Sequence, residues 1–382
     1  MKQKVDFFND IETYMIGLLR YGVLDERPEQ LLPSSEVDWD KMMDIAASQG
    51  ILAWVWDGIC KLPKENQPSR LYSINWGLSA QEIWDRYAYQ KKVLLEIIDI
   101  CNQNHIRLLL FKGIALSELF PNPHSRPSGD IDFYLFEDYR KGNVLFAKDN
   151  ISRSNKRTGF DYKGVHIENH RIFLNAYTKI HINAIKYLES SLDDVSLTKD
   201  GYYIMSPTAC IVYQVMHFLA HLDDISNPLS LRFIVDFGVT MNQYQTQVSA
   251  ESLKPILKQL KITDVFCLLL SVVETEFGLS FDNYNYMRID KRDSQAIIDL
   301  IYSREGDCDM LNQKKFFDRA KVYCLQYKQH DRLYKYLPKS RVAYVRAYLH
   351  DLFSVSVRKM LRIPDNTTYV GYFKKLVGKK HD

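Results

Sequence analysis

Apolar residues recur at helical spacing through the first hundred positions of the chain. Ser35-Glu36-Val37-Asp38 places a capping residue and acidic first-turn positions ahead of WDKMMDIAASQG, and Gly50 supplies a natural helix stop. Over residues 79–104 a longer amphipathic helix is predicted, because Ile83, Tyr87, Val93, Leu94, Ile97 and Ile98 fall near a period of 3.6. Residues 1–104 therefore read as a helical region.

At His105 the pattern changes. HIRLLLFKG is a short apolar run that ends in Lys112-Gly113, IALSELF resumes a helical pattern until Pro121 breaks it, and PNPHSRPSG is a loop by composition. GDIDFYLF reads as a strand. Side chains alternate faces along a strand, so Asp130, Asp132 and Tyr134 share one face while Ile131, Phe133 and Leu135 share the other. A helix is predicted over 137–150, followed by strand-like RTGFDYKGVHIENHRIFL and TKIHINAI. From Ser206 the apolar spacing is helical again, in SPTACIVYQVMHFLAHL, SLRFIVDFGVTMNQY, ITDVFCLLLSVVETEFG and the segments beyond Lys314. The expected architecture is an α+β fold, with a small mixed sheet in residues 105–204 between helical regions 1–104 and 205–382.

A chain of 382 residues, 46% apolar and 25% charged, buries a real core and is not disordered as a whole. The N-terminal apolar stretch is broken by Asp10 and Glu12 and has no small-residue cleavage site, and no uncharged run approaches the roughly 20 residues of a spanning helix. The six cysteines are scattered with no CxxC pair, so a reduced, cytoplasmic protein without a structural zinc site is expected. The net charge of +3 hides an asymmetry, since residues 311–382 hold 17 Lys and Arg against 5 Asp and Glu. That basic tail is either a solvated helical face or a surface for RNA or another anionic partner.

Asp130 and Asp132, two residues apart on one strand, converge as oxygen ligands must around a hard divalent cation such as Mg²⁺. Such a triplet also serves glycosyltransferases, so its context matters. Upstream, Lys112-Gly113 closes an apolar strand at a helix start, where free N–H groups, a flexible backbone and a lysine charge favour a phosphate. His124 and Arg126, in the loop ahead of the carboxylates, are within reach of the same anion. A phosphate cradle followed by a metal site is what phosphoryl-group chemistry requires. About 105 residues of helical sequence precede the first strand, which disfavours the glycosyltransferase reading.

The stretch from His105 to Phe136 resembles the core of the uncharacterised nucleotidyltransferase family in the DNA polymerase β-like superfamily. Its strand ending in Lys-Gly, its helix, its loop with an arginine and its Gly129-Asp130-Ile131-Asp132 match that family's order. The resemblance implies Asp130 and Asp132 as metal ligands for Mg²⁺, with Mn²⁺ as the substitute. It places Lys112, Gly113, Arg126 and Gly129 around the phosphates of a bound NTP. It also implies a third carboxylate two positions before a histidine, which Glu168 and His170 supply in GVHIENHR; KIHINAI has His181 but no acid. The superfamily's more usual Gly-Ser or Gly-Gly is Lys-Gly here, which leaves the base preference open.

Downstream, MHFLAHL and SLRFIVDFG resemble the family's helical part. His217 and His221 stand one turn apart, a spacing compatible with zinc but equally with helix packing. Arg232 and Asp236 read as an intrahelical pair, with a nucleotide-facing role for Arg232 as the other reading. The implied activity is two-metal transfer of a nucleoside monophosphate from an NTP to a small-molecule, polysaccharide-precursor or macromolecular acceptor. The alternative is an inactive relative that binds RNA or another anion through its basic tail.

Overall fold

The computed structural model describes residues 10–24, 37–154, 156–175, 178–223, 229–287 and 291–303. The basic segment 311–382 lies outside the described residues.

Helices α1 (Asp10–Leu24), α2 (Trp39–Ser48) and α3 (Leu52–Cys60) precede the long α4 (Arg70–Gln103). Asp38 caps α2 by accepting from the Lys41 N–H at 3.0 Å. Helix α4 starts nine residues before the predicted onset. Its first turns bury Trp76 and Ala80 but expose Leu71, Ile74 and Leu78, so the apolar period there is blurred.

Strand β1 (Leu109–Leu110), the single turn α5 (Ile114–Ser117), β2 (Asp130–Tyr134) and α6 (Tyr139–Phe146) follow. Next come β3 (Asp149–Arg153), β4 (Arg157–Tyr162) and β5 (Val165–His170), then α7 (Lys179–Ser190), β6 (Ser196–Leu197) and β7 (Tyr203–Ile204). The seven strands form one mixed sheet in the order β3-β4-β5-β2-β1-β7-β6, and the fold is α+β. Parallel pairing occurs between β2 and β5 and between β1 and β7. The β4–β5 hairpin turns through Lys163 and Gly164, both at positive φ, as a tight two-residue connection requires.

Two expectations fail here. TKIHINAI is the start of helix α7 and not a strand: Thr178 caps it by accepting from the His181 N–H, and the buried positions His181, Ala184, Ile185 and Leu188 have helical spacing. The predicted helix over 137–150 is shorter, and β3 begins at Asp149. β3 and β6 carry no buried residue, so no apolar alternation announced them.

The helical remainder comprises α8 (Pro207–Asp223), α9 (Leu231–Tyr244), α10 (Ala250–Leu260), α11 (Thr263–Phe277) and α12 (Lys291–Ser303). Their apolar faces merge with those of α1–α3 into one core, so the helices before and after the sheet support each other. One face of the sheet packs Ile131, Phe133, Leu135, Phe160 and Ile167 against the second half of α4 and against α6. The opposite face of β2 and β5 carries the carboxylates and looks toward α8 and α9. No described helix is long and apolar enough to cross a membrane.

Candidate active site

The parallel register of β2 and β5 sets Asp132 beside Glu168, Asp130 beside His166 and Tyr134 beside His170. In parallel strands, neighbours at one level point to the same face, so sequence-distant acids meet. Lys112 Nζ donates to Asp132 Oδ1 at 2.9 Å, and His170 Nε2 lies 2.7 Å from the same oxygen. His170 Nε2 is also 3.2 Å from Glu168 Oε2, and Arg157 Nε is 2.6 Å from Glu168 Oε1. Phe111 packs edge-on against the imidazole at 4.9 Å and fixes its plane. Asp132, Glu168 and His170 are all buried and offer ligand atoms within 4.8 Å of one another, a grouping that could hold a metal ion.

The two aspartates differ. Burial opposes ionisation of Asp132, but the Lys112 ammonium and the His170 contact outweigh it and hold the carboxyl well below the usual range. Lys112 is in turn held charged, its burial overcome by Asp132. Asp130 makes no side-chain hydrogen bond or ion pair among the described residues. Burial, then repulsion from Asp132, pushes its carboxyl up to about 6 against the pull of Lys112.

Gly113 turns the chain after β1 at φ 45°, and a Cβ there would sit 2.8 Å from Ser128 Oγ, which itself donates to the Asp130 carbonyl at 2.9 Å. The helix that follows is one turn long, so the positive helix end expected from the sequence is slight. Cationic side chains supply the charge instead. Arg126, 5% exposed, donates from Nε and Nη2 to the two oxygens of Asp236, each at 2.8 Å, and from Nη1 to the Gly113 carbonyl at 3.0 Å. The expected Arg232–Asp236 pair is therefore replaced by a forked bond to Arg126, which ties α9 to both glycine-bearing turns. His124 does not line the cleft; its ring packs on Tyr87 of α4 at 4.7 Å. Helix α4 also holds the loop through Gln90 Nε2, which donates to the Ser128 carbonyl at 3.2 Å.

A cleft of about 960 Å³ opens above the carboxylates, near the upper end of the roughly 300–1,000 Å³ typical of small-molecule sites. Lys112, Gly113, Arg126 and Gly129 line one side, and Tyr213, His217 and His221 of α8 face them at i, i+4, i+8 spacing. His217 and His221 pack edge-on at 4.8 Å and both touch Phe233, and no third metal ligand joins them among the described residues. Burial first, then nearby cations, hold the His217 imidazole neutral.

Five cations line the cleft with three carboxylates, which suits a polyanionic ligand. Arg232 stands at its edge without a carboxylate partner, and its buried Nε has no hydrogen-bond acceptor among the described residues. The corner after α2 sets its position: Gln49 Oε1 accepts from the Leu231 N–H at 3.0 Å, and Gly50, at φ 65°, lies beside the Arg232 stem. The sequence pattern did not reveal Lys156, Arg157 or Tyr213 as cleft residues. A basic pair before a strand and a tyrosine in an apolar helix are both ordinary features, and only the β4–β5 register brings Arg157 to Glu168.

Residues 35–278 match a family described as uncharacterised nucleotidyltransferase, a span that runs from ahead of α2 to the end of α11 and contains every cleft residue named above. The chain belongs to that family. No curated protein and no solved structure matches it. The cleft of this nucleotidyltransferase family member thus joins an acidic row, a glycine turn and an excess of cations within the matched span.

Proposed function

We propose that the protein transfers a nucleoside monophosphate from an NTP to an acceptor hydroxyl, with Mg²⁺ or Mn²⁺ ions held by Asp130, Asp132 and Glu168. The observation that carries this reading is Asp130, an unpartnered carboxylate that faces a cation-rich cleft beside two further acids. Its carboxyl is kept up near 6 by burial and by anionic neighbours, a cost that a divalent cation relieves, and three hard oxygen donors fit Mg²⁺. Bound metal supplies Lewis-acid stabilisation of charge on the transferring phosphates and lowers the acceptor's pKa.

The chain's own groups do the rest. Lys112 and Arg232 neutralise the triphosphate, Gly113 and Gly129 let the backbone approach it, and Arg126 braces the turn from behind. His170 and Arg157 orient the two oxygens of Glu168. The acceptor oxygen attacks the α-phosphorus, the bond from that phosphorus to the bridging oxygen breaks, and pyrophosphate leaves with the electron pair. The hydroxyl proton passes to water.

The test is incubation of the full chain with α-labelled NTPs and Mg²⁺ or Mn²⁺, beside Asp130→Ala. Wild type is expected to bind and turn over at least one NTP, and the variant to lose about 10²–10³ of that rate. A wild-type protein that neither binds nor consumes any NTP with either metal rules the reading out.

A further inference from the structure

Three of the five cleft cations have a carboxylate partner: Lys112 on Asp132, Arg126 on Asp236 and Arg157 on Glu168. Lys156 and Arg232 have none among the described residues. A largely buried cation without a counter-ion is costly and persists where a ligand's anion completes the pair. The two stand on opposite sides of the carboxylate row. Gly113 follows β1 and Lys156 precedes β4 in a sheet ordered β4-β5-β2-β1, so β2 and β5, with their acids, lie between them. Arg232 belongs to the Gly113 side: it stands one turn before Asp236 on α9, and Asp236 holds the Arg126 that donates to the Gly113 carbonyl.

We propose that Lys156 forms an acceptor subsite for an anion, and that the acceptor is a small hydroxyl compound bearing a phosphate or carboxylate group. This rests on the nucleotidyl-transfer reading above. The Lys156 carbonyl accepts from the N–H groups of Arg171 and Ile172 at 2.8 and 3.3 Å, which sets the lysine beside the segment that carries Leu174 and Asn175 into the cleft. His217, held neutral, lines the same cleft and feels the charges of Lys112, Lys156 and Arg232, so it adds no positive charge of its own. Burial, Lys112 and Arg157 together press the Lys156 ammonium down to about 8 against the weaker pull of Asp132 and Glu168, and a ligand anion in contact with it relieves that pressure. One cation without a carboxylate partner on this side of the acids, in a cleft that Leu174 and Asn175 also line, fits a single anionic group, whereas a nucleic acid calls for a row of cations along its backbone.

The test uses Lys156→Met and Arg232→Met in the full chain. Both keep an apolar stem and remove an unpaired charge, so both should melt no lower than wild type. Orthophosphate in equilibrium dialysis is expected to occupy two sites in wild type, one in each variant and none in the double variant. A non-hydrolysable NTP with Mg²⁺ should bind about tenfold more weakly to Arg232→Met and within about threefold of wild type to Lys156→Met. Labelled transfer to a sugar phosphate, a hydroxy acid, the unphosphorylated sugar and single-stranded RNA then distinguishes the acceptors. Product should form on the sugar phosphate or the hydroxy acid, and Lys156→Met should raise that acceptor's KM about tenfold with the NTP KM nearly fixed.

Equal loss of NTP affinity in the two variants overturns the proposal, because both cations then serve the donor. Labelling of the neutral sugar or of RNA as efficiently as the anionic compounds overturns it too. Failure of wild type to bind any NTP defeats the nucleotidyl-transfer reading alone. In that event dialysis on Arg232→Met still decides whether Lys156 holds an anion.

Discussion

Strand β2 presents two faces that differ in nearly every physical respect. On one, Ile131 and Phe133 are sealed against α4 and α6, and the burial that removes them from water stabilises the fold. On the other, Asp130 and Asp132 are drawn out of water as anions, which costs free energy unless each is compensated. Asp132 is compensated by Lys112 and His170; Asp130 is not. One carboxylate thus sits in a finished ionic network, while its neighbour, two residues away, has no ion-pair partner among the described residues.

That contrast can be broken from the apolar side first. Phe133→Ala removes a fully buried ring and should cost about 3–5 kcal/mol in chemical denaturation, with NTP affinity of the folded protein unchanged. A large loss of affinity at full occupancy of the folded state would mean that the two faces are not separable. Asp130→Asn should act in the opposite direction. The wild-type carboxyl is raised from 3.8 to about 6, so the folded state binds its proton more tightly than the unfolded chain does. The contribution of this group to stability is then fully present below about 3.8 and is lost as pH rises through about 6. With a chelator present, the variant should be more stable by about 1–3 kcal/mol at pH 7–8, and the advantage should fade as pH falls toward 4. Thermal melts across that range check both sign and window, and a variant less stable than wild type at pH 7 would contradict the account.

Smaller effects separate the two glycines beside the polar face. Gly113→Ala meets Ser128 Oγ and a positive φ, so it should cost about 1–3 kcal/mol and weaken NTP binding. Gly129→Ala enters open space and should stay within about 0.5 kcal/mol of wild type. Equal responses at the two positions would show that the turn after β1 is not the constrained one.

Much of this face could be read along the chain because its signals are local. The alternation in GDIDFYLF separates acids from core residues without any partner strand. The turn at Lys112-Gly113 is announced by composition, whereas Glu168 with His170 stands out only through the resemblance to the family. The errors share one cause. IHINAI fits both a period of two and a helix, and what selects the helix is the Thr178 cap and the apolar surface that α7 buries. Arg232 and Asp236 have the spacing of an intrahelical pair, yet Asp236 is claimed by Arg126, 110 residues earlier. His124 sits in the right loop and is taken up by Tyr87.

The sequence alone determined that Asp130 and Asp132 share one face of a strand, opposite Ile131 and Phe133, and that Lys112-Gly113 ends an apolar run at a turn, because side-chain alternation and turn composition act over a few bonds. Tertiary structure decided which charges are paired. Ion pairing depends on distance in space and on burial, and neither is set until β5 lies parallel to β2 and α9 is docked by Gln49 and Arg126. For that reason Asp130 and Asp132 look equivalent in the chain and differ in the fold, one neutralised by Lys112 and the other left open to the cleft.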